Sequence, residues 1–119
     1  MKRPMMLAVA AAMISAARAA PDEAAYAAFV AGAYEKSAEI ALAAGGAENH
    51  ALAARAVNAL AYFEPDRKAT RKLADRAADY AKQAIKEDPR LPEGYLQAAI
   101  GEGLRAAKMA PARAFLLTL

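Results

Sequence analysis

The chain has 119 residues, of which 58% are hydrophobic, and it contains no cysteine. That length suffices for a single domain, so any function resides in one small unit or in its assembly. The lack of cysteine excludes a disulfide framework, a thiolate metal site, a cysteine nucleophile and an acylated cysteine anchor.

The formal charge of +3 is confined to the N-terminus, since Lys2, Arg3 and Arg18 precede the first acid and the remaining residues carry 13 bases and 13 acids. The pI near 9.3 is therefore no nucleic-acid footprint, which requires a basic surplus in the folded part. Residues 1–19 have a basic start, an uncharged apolar stretch over 5–17, and Ala17-Arg18-Ala19 before Ala20. This is the layout of a cleavable signal peptide, with the cut between Ala19 and Ala20. The apolar run is shorter than the ~20 residues that span a bilayer. The reading expects a signal peptide over 1–19, a helical domain over 20–119, a periplasmic or secreted location, and no stable membrane anchor after cleavage.

Beyond Pro21, β-branched residues are sparse and alanine, leucine, lysine and glutamate dominate, which favours helix. The spacing predicts helices over 22–44, 48–63, 66–87, 92–109 and 112–119. Gly45-Gly46, Glu64-Pro65-Asp66 and the two-proline stretch Asp88 to Pro92 separate the middle ones. Shifted by 44 residues, the chain matches itself: Pro21-Asp22 falls on Pro65-Asp66, Phe29 on Leu73, Leu52 on Leu96, and Ala56 on Ile100. The fold class expected is all-α, with antiparallel helical hairpins stacked as a short solenoid. Facing alanines would let helices approach closely, with leucine, phenylalanine and tyrosine filling the gaps and a thin core as the result.

Ala77, Ala84 and Pro89 have the spacing of the small, small and proline positions in the second helix of a tetratricopeptide repeat, and Tyr95 sits at the aromatic position of the next. From about residue 47 the chain resembles that family, although Ala81, Ala99 and the 44-residue period depart from its pattern. The resemblance implies a concave surface where peptides or partner proteins dock, with groove positions at Asn49, Leu52, Ala56, Glu93, Leu96, Gln97 and Ile100. The apolar side chains there suit a helix or an apolar segment rather than a C-terminal carboxylate.

Other candidates are weaker on chemical grounds. Gly101-Glu102-Gly103-Leu104-Arg105-Ala106 matches a glycine-rich dinucleotide fingerprint, but it lies in a helical pattern with no strand before it. Arg67, Lys68, Arg71, Lys72 and Arg76 form a basic run that continues into Asp75 and Asp79, the pattern of a solvated, salt-bridged face, without interleaved aromatics for nucleic acid. Glu35 with Glu39 and Asp75 with Asp79 are carboxylates four apart, yet His50 is the sole histidine and no Glu-x-x-His pattern joins them. His50 is expected near a helix start, exposed or capping. Ser37 is the one serine beyond residue 20 and falls in mid-helix, so no nucleophile stands beside the imidazole.

These readings predict no catalytic residue, no cofactor, no metal and no nucleic-acid partner. The expected function is a non-enzymatic protein- or peptide-binding scaffold. A small-ligand-binding accessory of a solute-uptake system and a purely structural oligomer subunit are the alternatives. Phe115, Leu116, Leu117 and Leu119 end the chain without a polar cap, and the expectation is either a helical domain incomplete at its C-terminus or self-association through that segment.

Overall fold

The computed structural model describes residues 20–107. They form five helices: α1 (Glu23–Val30), α2 (Tyr34–Ala44), α3 (Ala47–Phe63), α4 (Arg67–Glu87) and α5 (Pro92–Ala107). There is no strand among the described residues, and the all-α class stands. Ala19, the rest of the expected signal peptide, and the expected last helix with Phe115, Leu116, Leu117 and Leu119 lie outside them.

The single helix expected over 22–44 is corrected to two. Gly32 has φ 81°, the left-handed region, in which an L-residue with a Cβ is disfavoured by ~1–2 kcal/mol. Around it the Gly32 N–H donates to the Phe29 carbonyl and the Ala33 N–H to the Ala28 carbonyl, at 3.0 and 2.9 Å. This pair of bonds closes a helix end and reverses the chain. α1 then folds back on α2, and the buried Ser37 hydroxyl donates to the Ala25 carbonyl at 2.7 Å. Alanine on both sides of Gly32 favours helix so strongly that the glycine is easily read as tolerated within one.

The internal similarity survives at the caps and fails beyond them. Asp22 and Asp66 each precede a helix, and their carboxylates accept from the N–H of Ala25 and Ala69 at 3.0 and 2.8 Å. Such caps satisfy backbone donors that no helical carbonyl can reach. Further along, Gly32 falls on Arg76 in the middle of α4, so a two-helix hairpin occupies the place of one long helix. Leu52 is 4% exposed where Leu96 is 52% exposed, so the paired leucines have different surroundings.

Packing follows the short connections: α2 lies on α3, α3 on α4, and α4 on α5, while α3 and α5 also touch. The core is built on alanine, with Ala25, Ala38, Ala41, Ala53, Ala56 and Ala77 fully buried around Leu52 and Val57. Val57 is the largest of the fully buried side chains. Phe29, Tyr34, Ile40, Leu42, Leu73 and Tyr80 pack against this core only partly buried. Leu52 fills an interhelical gap as the large side chains were expected to do, whereas the aromatic ones pack against the core from its rim. Small side chains bring the helix axes together and leave no room between them. On α5, a Cβ at Gly94 would lie 3.0 Å from Ile85 Cγ1, and one at Gly101 would lie 3.4 Å from Asn58 Oδ1. These two glycines seat α5 closely against α4 and α3.

Candidate functional site

Helices α1, α3 and α5 together line an open apolar surface. One hollow of about 410 Å³ is bordered by Pro21, Tyr26, Leu52, Arg55, Leu91 and Pro92, with Glu48 and Glu93 at its edge. A second, of about 310 Å³, is bordered by Phe29, Ala59, Tyr62, Phe63, Ile100 and Leu104, and Arg55 belongs to it as well. Helical spacing creates this arrangement: Tyr26, Phe29 and Val30 stand at i, i+3 and i+4 on α1, and Gln97, Ile100 and Leu104 at i, i+3 and i+7 on α5.

The aromatic rings form a connected series. Phe29 and Tyr34 are tilted with centroids 5.4 Å apart, Tyr34 stacks on Phe63 at 6.4 Å, and Phe63 meets Tyr62 edge-on at 5.1 Å. The series runs from the α1–α2 turn to the end of α3. Tyr62 and Phe63 remain 65% and 68% exposed, so the rings present area to solvent that full burial would remove. Sequence reasoning missed this cluster, because its members come from three helices. The adjacent Tyr62-Phe63 at a helix end was the available signal.

Arg55 stands between the two hollows with its guanidinium carbon 4.5 Å from the Phe29 ring centre. It has no carboxylate partner among the described residues. By contrast, Arg76 bonds both oxygens of Glu35, the shorter contact at 2.6 Å, and Arg105 reaches Asp75 at 2.8 Å. Close to the first hollow, burial holds the Glu48 carboxyl above the usual range, and the charges of Asp88 and Glu93 push it the same way.

Beneath the groove lies a polar cluster. Asn58 Nδ2 donates to the Gln97 carbonyl at 3.0 Å and to its side-chain oxygen at 3.1 Å, while Gln97 Nε2 donates to Glu93 at 2.9 Å. The buried Asn58 Oδ1 has no hydrogen-bond partner among the described residues and faces the Cα region of Gly101.

The predicted groove residues divide into two groups. Leu96 and Ile100 are 52% and 39% exposed, although only Ile100 borders one of the two hollows, and Glu93 is half-buried at the edge of the other. Ala56 and Gln97 are instead buried, and Leu52 offers only its edge to the first hollow. The physical reasons differ: Ala56 belongs to the alanine core that the α1–α2 hairpin completes over α3, whereas Gln97 is buried where α5 meets α3, bonded by Asn58. Asn49 is occupied: its side-chain oxygen accepts from the Asp22 N–H and its Nδ2 donates to the Gly45 carbonyl, both at 2.7 Å. It ties the start of α1 to the α2–α3 turn, where Gly45 and Gly46 both have positive φ. Ala20 is exposed just ahead of the Asp22 cap.

The remaining candidates are placed as follows. The Gly101 to Ala106 stretch lies within α5 and opens no strand-to-helix turn. Of the basic run, Arg76 is engaged with Glu35 and with the Tyr80 hydroxyl at 3.0 Å. The ion pairs of this face cross between helices, as Arg76–Glu35 and Arg105–Asp75 show. His50 Nδ1 is 2.9 Å from the Gly46 carbonyl and 2.5 Å from a Glu87 oxygen. Among the described residues no three potential metal ligands gather, and no helix is long and apolar enough to cross a membrane.

Comparison with protein-family models, curated proteins and solved structures found no match.

Proposed function

We propose that the chain is a non-enzymatic scaffold, similar to tetratricopeptide-repeat proteins, that binds a protein or peptide in the groove of α1, α3 and α5. The observation that supports this most is the aromatic and aliphatic lining left open to solvent: Tyr26, Tyr62, Phe63 and Ile100 are each between 39% and 68% exposed, and Leu96, one helical turn before Ile100, is 52% exposed beside it. Apolar area of this kind, contributed by three helices and rimmed by charge, suits an amphipathic guest. The helix pairs α1–α2 and α3–α4, with α5 opening a third, are the solenoid units in this reading, and α1, α3 and α5 are their inner helices.

The proposal includes export to the periplasm after cleavage between Ala19 and Ala20. Support comes from the charge and apolar layout of residues 1–19 and from the Asp22 cap that begins the first described helix. The α5 residues Leu96 and Ile100 can be changed without emptying the core, because both are already substantially exposed. A photo-crosslinking residue at Tyr62 should capture a partner in the native cell fraction, and Leu96→Glu or Ile100→Glu should reduce that capture at least fivefold. Lys72→Glu, on the exposed side of α4, should leave it within twofold. Equal losses from all three substitutions would reject the groove.

A further inference from the structure

We infer that the groove recognises a helical peptide carrying a side-chain carboxylate between two large apolar residues, and that Arg55 is the anchor for that carboxylate. The inference rests on the groove reading and specifies its guest. Its starting point is Arg55, the arginine that borders both hollows. Arg76 and Arg105 each hold a carboxylate of a neighbouring helix, whereas Arg55, exposed in mid-α3, lies over Phe29 without one among the described residues. Stacking on a ring uses the face of a guanidinium and leaves its N–H edge available, the geometry suited to bidentate capture of a carboxylate. An aromatic floor also excludes water from one side of that contact and strengthens it.

The position of Arg55 then sets the spacing of the guest. It borders both hollows, one lined on α3 by Leu52 as well and the other by Ala59. These α3 residues are about 10 Å apart at roughly 1.5 Å of rise per residue. A guest helix spans that distance between its own apolar residues at i and i+7, with the acid at i+3 or i+4 opposite Arg55. Polarity follows from the rim. Glu48 and Glu93 lie at the edge of the first hollow and Asp88 acts on the same region, so an acid there meets repulsion and a base is favoured. The guest therefore places a lysine or arginine beyond its first apolar residue and its acid in the middle.

The test uses the full chain and synthetic alanine-based helical peptides of about 16 residues, long enough to hold helix. One carries Leu, Glu and Leu at i, i+4 and i+7 with a preceding Lys; a second has Gln for Glu; a third has Ala for both Leu. Fluorescence anisotropy should show the first binding about tenfold more tightly than the second, as a charge-assisted hydrogen-bonded pair predicts. With Arg55→Gln the two peptides should bind alike, and with Arg55→Lys the preference should shrink but persist. Circular dichroism melts of each variant establish that the fold is retained.

If Arg55→Gln weakens the Glu and Gln peptides by the same factor, the anchor is refuted while the groove stands. If the Ala-for-Leu peptide binds as well as the first, or none of the three binds, the groove reading itself is overturned. Tighter binding of decanoate than of the Glu peptide would refute a peptide guest in favour of a fatty carboxylate.

Discussion

Glu35 and Glu48 are both carboxylates on this small fold, and their surroundings push them in opposite directions. The hydrogen bond from Arg76 holds Glu35 below the usual carboxylate range, against a smaller opposing effect of burial and with help from the arginine charge. Its contribution to stability is present above the unfolded-state pKa and is lost as pH falls through the lower folded value. Burial raises Glu48, so its folded state prefers the proton; relative stability is present below the unfolded pKa and is lost as pH rises through the folded value. Glu35→Gln should therefore reduce stability at pH 7, and Glu48→Gln should increase it. Both effects should be only about a few tenths of a kcal/mol, because the groups are open to solvent screening. Both should shrink on acidification to about pH 3, that of Glu48 first, because Glu35 keeps its charge in the folded state to lower pH. Urea titrations at the two pH values measure this. Equal signs at pH 7 would contradict the assigned surroundings.

Among the helices, two glycines show how position decides the sign of one substitution. Gly32→Ala places a Cβ at φ 81° and should destabilise by about 1 kcal/mol, although alanine is the better helix former. Gly103 is exposed within α5, and a Cβ there would meet nothing within 4 Å. Gly103→Ala should stabilise by about 0.5–1 kcal/mol through helix propensity and a restricted unfolded chain. Urea midpoints moving in the same direction for both would show that the α1–α2 turn is not held by Gly32. The caps illustrate what was readable in advance, since Asp22 and Asp66 follow prolines and precede helical patterns, which is a local signal. The Gly32 break was not readable with the same ease. Its reversal requires α1 and α2 to gain contact with each other, as in the Ser37–Ala25 hydrogen bond, and a single glycine within a helical pattern carries no record of that contact.

For the assembled protein, export and partner capture are linked expectations. Cleavage between Ala19 and Ala20 leaves Asp22 as the N-cap of α1 with two residues ahead of it, so the first hairpin keeps its cap and its Asn49 tie. N-terminal sequencing of material from the periplasmic or secreted fraction should read Ala20, Pro21, Asp22. An intact Met1 in that fraction would reject the cleavage. The groove depends on the same hairpin, because Tyr26 and Phe29 reach it from α1.

Composition and periodicity sufficed for the all-α class, for α3, α4 and α5 to within a few residues, and for the proline and glycine connections, because each depends on neighbours close in the chain. Leu96 and Ile100 were named by the resemblance to the tetratricopeptide repeat, which named the buried Ala56 and Gln97 as well. Burial of Ala56 and Gln97, the aromatic series from Phe29 to Tyr62, and the carboxylate partners of Arg76 and Arg105 depend on which helix faces which. Those choices arise from the reversal at Gly32 and from alanine-to-alanine contact across the core. A helix of alanines offers nearly the same small surface on every side, so its pattern specifies the helix well and the facing partner poorly.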